Sequence, residues 1–123
     1  MPHLTLEYTD NLTDVNVRDA LNRLNLSLIE SGLFDEVDIK SRAIPLSIFQ
    51  VGAASEARAF VHVRLSILKG RTLEVQQALS QRLLNELNRI FVGYHAAHLQ
   101  LCVEITEIAT ESYAKAVINP HLR

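Results

Sequence analysis

The chain has 123 residues, 48% of them apolar, which is enough for one domain around one hydrophobic core. Its 12 basic and 14 acidic residues nearly cancel, so no electrostatic footprint for nucleic acid or an anionic membrane is present, and any anion site must be local. A single cysteine, Cys102, excludes a disulfide framework and fits a reducing cytoplasm, and no apolar run approaches the roughly 20 residues of a membrane-spanning helix.

The first element is read at once from period-two alternation. Leu4, Leu6 and Tyr8 fall on one face and His3, Thr5 and Glu7 on the other, a half-buried strand beginning at the terminus. Pro2 follows the initiator methionine directly. Removal of Met1, expected before a small residue, leaves Pro2 with a free secondary amine. Proline nitrogen elsewhere is an amide without a proton, whereas at a chain start it is a base whose pKa falls when it is desolvated or set among cations.

Asn16, with Asp19 three residues on, predicts a helix start, and Val17, Leu21, Leu24 and Leu28 form its apolar stripe, widened by Ala20 and Ile29, up to a stop at Gly32. Val37 to Ile44 alternates again as a second strand. Pro45 ends it or marks it as an edge strand. Leu46 to Glu56 reads as extended chain with a turn at Gly52 to Ser55.

The second half repeats the plan. Ala57 to Leu68 is a strand with Val61, Val63, Leu65 and Ile67 on one face and Phe60, His62, Arg64 and Ser66 on the other. Lys69 to Thr72 is a turn into a long amphipathic helix capped by Thr72, with Leu79, Leu83, Leu87, Ile90 and Phe91 on its buried side, Ala78 and Leu84 beside them, and an end near Gly93. His98 to Ile108 is the fourth strand, in which Cys102 is expected to be a buried structural residue. The tail from Glu111 to Arg123 shows no period.

Strand, helix, strand therefore occurs twice, over about residues 2–50 and 57–108, within a single domain spanning 1–123. Two right-handed crossovers of this kind give an α/β fold of the α+β type: one four-stranded mixed sheet with both helices on a single face. The other face carries Thr5, Ile44, Phe60 and Cys102 beside His62 and Arg64, a mixture that suggests coverage by another subunit.

This duplicated plan behind Pro2 resembles the tautomerase superfamily with its amino-terminal proline, and more closely the 5-carboxymethyl-2-hydroxymuconate isomerase family. The matching stretches are Pro2-His3-Leu4 with Glu7 and Asp10-Asn11, then Ser31-Gly32-Leu33-Phe34, Ile39-Lys40-Ser41-Arg42, Ala59-Phe60-Val61-His62 and Gly70-Arg71-Thr72-Leu73-Glu74, with Glu104-Ile105 as the anchor in the last third. The resemblance implies a tautomerase fold, a homotrimer with sites near subunit boundaries, and a cytoplasmic enzyme of homoprotocatechuate breakdown. It implies isomerisation of an unsaturated 2-hydroxy acid to its 2-oxo isomer, with no metal or organic cofactor. Two alternatives stand beside this reading: other proline chemistries such as hydration, dehalogenation or decarboxylation of small acids, and a non-catalytic trimeric binding protein.

The chemistry selects the same residues. A base neutral near pH 7 suits the proton transfer, and Pro2 supplies one. Arg71, at the start of the second helix, can grip a carboxylate with two hydrogen bonds where backbone N–H groups already favour an anion. Lys40 and Arg42, two apart on a strand, face the same way and can hold carboxylates; the family pattern has arginine where Lys40 stands, and lysine lacks the planar fork. Phe60 is a candidate apolar wall, with core or interface use as its structural reading. His3 and His62 read as structural, and His95 with His98 lacks a third metal ligand.

Overall fold

The computed structural model describes residues 1–120. Four strands and two helices alternate as the sequence predicts: β1 (His3–Thr9), α1 (Val17–Glu30), β2 (Lys40–Leu46), β3 (Arg58–Leu68), α2 (Leu73–Ile90) and β4 (His98–Ile108). Both helix starts are capped by the expected residues. Asn16 Oδ1 accepts from the Asp19 N–H at 3.0 Å, and Thr72 Oγ1 from the Val75 N–H at 3.2 Å, each satisfying an N–H that the first helical turn leaves without a partner. Gly32 stands two residues past α1 at φ 75°, a left-handed conformation that costs glycine nothing.

The sheet order is β2-β1-β3-β4, with β1 parallel to β2, β3 parallel to β4, and β1 antiparallel to β3. Each half is thus a parallel βαβ unit, and the two meet at the central β1–β3 pair. One face of the sheet holds Leu4, Leu6, Ala59, Val61, Val63, Leu65 and Ile67, all buried, packed under Leu24 and Leu28 of α1 and Leu79, Leu83 and Leu87 of α2. Ala78, by contrast, is exposed.

The second strand is where the expectation needs correction. The sequence places it at Val37 to Ile44, but Glu36–Asp38 is a turn of 3-10 helix and β2 runs from Lys40 through Pro45 to Leu46. Val37 is 81% exposed, so the alternation read there begins too early. Pro45 is tolerated inside the strand because β2 is an edge, where an absent N–H removes no ladder bond. Cys102 is also exposed rather than buried, because it lies on the sheet face that no helix covers.

That open face is polar but internally paired. Across it, Arg64 Nε meets Glu104 Oε1 at 3.2 Å and His62 Nε2 meets the same oxygen at 3.1 Å, while Ile44 stands 42% exposed at one edge.

The tail, for which the sequence shows no period, is docked by two side chains. After a 3-10 turn at Thr110–Ser112, Tyr113 Oη lies 3.0 Å from His3 Nε2, and Lys115 Nζ lies 2.8 Å from Asp38 Oδ1. His3 Nδ1 is 2.9 Å from a guanidinium nitrogen of Arg42. A guanidinium has only donors, so Nδ1 must accept; the ring is neutral and its Nε2–H donates to Tyr113. Burial, then the charges of Arg42 and Lys40, the terminal amine and Lys115, hold the His3 pKa below its ordinary value.

Two outcomes follow from this packing. Leu83→Ala, at a side chain with no exposure, should cost about 2–5 kcal/mol, read as a lowered urea midpoint with unchanged slope. Because His3 titrates lower when folded, the unfolded chain binds more protons just below pH 6.5, and stability falls as pH drops through that window until the folded imidazole also protonates. Protonated His3 cannot accept from Arg42. Amide-exchange protection around Tyr113 should therefore be weaker at pH 5.5 than at pH 7.5, and His3→Gln should remove the difference. The Lys115–Asp38 pair does not account for it, since Lys115 holds the Asp38 carboxyl below the usual carboxylate range and it stays ionised at both values.

Candidate active site

Strand pairing alone gathers the candidate residues at one end of the sheet. His3 is in register with Lys40 on one side and Ser66 on the other, and the Lys40 N–H donates to the Pro2 carbonyl at 3.1 Å. Because β3 runs antiparallel to β1, its end and the turn that follows are delivered beside the chain start. Gly70, at φ 131°, lets that turn reverse, and Arg71 then stands immediately before the Thr72 cap of α2. The end of β4 arrives at the same place, where the Lys69 N–H donates to the Ile108 carbonyl at 3.0 Å, so the tail begins there too.

Pro2 is buried, on the helix side of the sheet with Leu4. In the structure Met1 precedes it, so the terminal amine belongs to Met1 and Pro2 nitrogen is an amide. The Met1 amine nevertheless reports the electrostatics of this position. Its pKa is lowered from the ordinary value, first by burial; Asp38 opposes this, and Lys40, Lys115 and Arg71 add to it. Four charged residues from three separate segments thus act on one terminal nitrogen.

Arg71 is fixed rather than solvated. One guanidinium nitrogen donates to the Leu33 carbonyl at 2.9 Å, and its central carbon lies 5.4 Å from the centroid of the Phe34 ring, within cation–π range. Both partners come from the loop that Gly32 opens after α1. With a single hydrogen bond among the described residues, the guanidinium keeps donors for a ligand at the helix start, where an anion is favoured.

Lys40 and Arg42 share the open face of β2 but have different company. Lys40 Nζ donates to the backbone carbonyl of Asp38, and among the described residues no carboxylate lies within ion-pair distance of it. Arg42 is turned onto His3 and belongs to the chain of hydrogen bonds leading to Tyr113. His3 is therefore a structural hydrogen-bonding residue, in keeping with its sequence reading, and its ring joins Arg42 to the tail.

Phe60 is not brought to Pro2 within the chain. Its N–H donates to Thr9 Oγ1, at the far end of β1, about 20 Å from Pro2 at a strand rise of roughly 3.3 Å per residue. There its ring meets Phe49 edge to face, with centroids 6.5 Å apart. His95 lies in the turn after α2 and His98 opens β4, so the two are not ligands on one helix.

Two residues of the cluster have no counterpart in the sequence reading. Asp38 falls in the 3-10 turn that interrupts the apparent alternation, and Lys115 lies in the aperiodic tail. Their only signal is charge, which does not by itself say where a side chain ends up. A cavity of about 500 Å³ lies elsewhere, between the start of α1 and the end of α2, lined by residues including Asn16, Arg23, Phe91 and Tyr94. It is at the opposite end of the sheet from Pro2.

The comparisons with known proteins agree with this geometry. The family model described as 5-carboxymethyl-2-hydroxymuconate isomerase matches residues 2–122. A 5-carboxymethyl-2-hydroxymuconate Delta-isomerase from Escherichia coli is 28% identical over 110 residues, covering 88% of this chain and 87% of the relative. The crystal structure of a 5-carboxymethyl-2-hydroxymuconate isomerase from Deinococcus radiodurans R1 superposes with a TM-score of 0.87 at 36% identity, over 94% of this chain and 88% of that one. A fused 4-OT wild-type symmetric trimer shares the fold, with a TM-score of 0.67 at 18% identity over 93% of this chain and 91% of its own. With its whole length from Pro2 onward matched and its charged residues gathered at that proline, the chain belongs to the 5-carboxymethyl-2-hydroxymuconate isomerase family.

Proposed function

We propose that the protein is a cofactor-independent isomerase that converts 5-carboxymethyl-2-hydroxymuconate, or a related unsaturated 2-hydroxy acid, to its 2-oxo isomer. The observation that carries this is family membership over residues 2–122 together with the convergence of Lys40 and Arg71 on the terminal nitrogen. Once Met1 is removed, the secondary amine of Pro2 takes the place the Met1 amine marks. Burial and the surrounding cations favour its neutral form, which general-base work near pH 7 requires.

In this mechanism Pro2 accepts the proton of the 2-hydroxyl group and returns it to carbon further along the conjugated system. Negative charge develops over the 2-oxygen and the adjacent carboxylate. Arg71, held by Leu33 and Phe34, meets that charge with a preorganised guanidinium, so little reorganisation accompanies the step. Lys40 holds a carboxylate, its ammonium having no carboxylate partner among the described residues. Arg42 contributes at longer range, since its closest bond is to His3.

The working form in this reading is a cytoplasmic homotrimer acting on a small carboxylate, with neither nucleic acid nor membrane as partner. The uncovered sheet face and the trimeric assembly of the fused 4-OT structure support the oligomer. No helix among the described residues is long and apolar enough to cross a membrane. Phe60, remote from Pro2 within its own chain, would then wall the site of a neighbouring subunit.

The test pairs intact mass with an ultraviolet assay of ketonisation on the same sample. Protein lacking Met1 should turn over the hydroxymuconate, and Pro2→Ala should lose roughly two or more orders of magnitude in kcat/KM. Arg71→Lys, which keeps the charge but loses the fork, should lower kcat about tenfold or more. Met1-free protein with no turnover of any such acid would overturn the assignment. A trimer in light scattering is expected, and a monomer at micromolar concentration would remove the shared site.

A further inference from the structure

Asp38 holds two lysines by two different groups. Its carboxylate pairs with Lys115 Nζ at 2.8 Å, and its backbone carbonyl accepts from Lys40 Nζ. The two ammonium groups are therefore anchored to one residue beside the chain start, and both act on the terminal amine. The charges do not balance: two ammoniums face one carboxylate, and the one on Lys40 is met only by a neutral carbonyl. The Lys115 and Asp38 side chains are 26% and 28% exposed, within reach of solvent, and the tail that carries Lys115 is tied down by Tyr113 on His3.

From this arrangement we propose that Lys115 is a substrate-binding, specificity-determining residue: together with Lys40 it forms a two-ammonium seat for a second carboxylate of a substrate that carries more than one. Asp38 is the internal counter-ion of the seat. It occupies Lys115 while the site is empty and releases it, without leaving its place beside Lys40, when a carboxylate binds. Two oxygens of one carboxylate then meet two ammoniums, and with Asp38 the charges sum to zero. In this seat a chain without a guanidinium at position 40 holds a substrate's second carboxylate with two separately anchored point charges in place of one planar fork.

The proposal rests on the isomerase reading for the identity of the substrate, but the seat is testable by binding alone. The probe is adipate, a saturated dicarboxylate that cannot isomerise, measured by calorimetry at low ionic strength on Met1-free protein, with hexanoate as the monocarboxylate reference. Lys115→Met should weaken adipate about tenfold and lower the ratio of adipate to hexanoate affinity by a similar factor. That is the loss expected for one charge-assisted contact that is partly exposed. Asp38→Asn separates the seat from a simple tail staple. It breaks the same ion pair but frees the Lys115 ammonium, so adipate should bind at least as tightly as to the unmodified chain.

If Lys115 is only a staple, Lys115→Met and Asp38→Asn weaken adipate equally, and the proposal falls. It falls equally if adipate fails to bind the unmodified protein at millimolar concentration, or if Lys115→Met binds it unchanged. Should the protein bind adipate in a Lys115-dependent way yet turn over no hydroxymuconate, the seat stands and the isomerase reading fails. Turnover with adipate affinity indifferent to Lys115 leaves the isomerase reading standing and removes the seat.

Discussion

The two ladders of β1 are the constraint on which the rest of this protein depends. A central strand seven residues long is parallel to β2 on one edge and antiparallel to β3 on the other. Parallel pairing sets the start of β2 beside the start of β1, and antiparallel pairing sets the end of β3 there as well. The start of α2 and the end of β4 follow from the second βαβ unit. Segments that are far apart in sequence, at residues 1–3, 38–42 and 69–72, meet with the end of β4 through backbone hydrogen bonding, and the tail beyond it is then docked by Tyr113 on His3 and Lys115 on Asp38. A one-residue slip of β1 would turn Leu4 and Leu6 to the open face, so the same buried leucines that stabilise the sheet also fix where Pro2 lies.

Meeting at one end has an electrostatic consequence. Lys40, Arg71 and Lys115 are brought close to a partly buried terminal nitrogen, and like charges gathered without an anion repel. Asp38 limits that repulsion, and it also raises the terminal pKa that burial and the three cations lower. The basicity of the terminus is thus a balance, with one acidic residue acting against several independent effects. An anionic ligand entering the cluster would act in the same direction as Asp38. The amine would become more basic as the ligand arrives, which suits a group that must hold a proton between taking it up and handing it on.

Much of this was legible in the residues. Period-two and period-3.6 patterns gave all four strands and both helices, because the helices and the sheet bury their apolar faces against each other with little interruption. The caps Asn16 and Thr72 were readable because their local chemistry is self-contained. Pro2, Lys40 and Arg71 stand out in the sequence through the family resemblance and the chemistry of carboxylate binding, whereas their common end of the sheet is seen only in the strand register. The start of β2 lies later than the pattern indicates for a physical reason: Val37 and Ile39 alternate with Asp38 and Lys40 in the sequence, but Glu36–Asp38 turns as a 3-10 helix and leaves Val37 exposed. Lys115 and Tyr113 were not legible, since their positions depend on two long-range side-chain contacts that leave no period. For Phe60 alternation identified the face correctly, but a face has two ends, and only the register with β1 shows that it lies at the one away from Pro2.

Arg42 illustrates how one contact can divide labour among similar residues. On the strand it is equivalent to Lys40, the same face and two residues along, and by charge and reach either could serve a carboxylate. The His3 ring removes the equivalence. Its Nδ1 takes a guanidinium proton from Arg42, its Nε2–H is spent on Tyr113, and the imidazole must stay neutral for both bonds to exist. Arg42 is consequently bound up in docking the tail, and the tail in turn carries the Lys115 ammonium to Asp38. The cation at position 42 is thus tied, through His3 and Tyr113, to the segment that carries Lys115. Replacing the His3 ring with a side chain that cannot accept at one end and donate at the other would loosen Arg42 and Lys115 together, although neither touches the other.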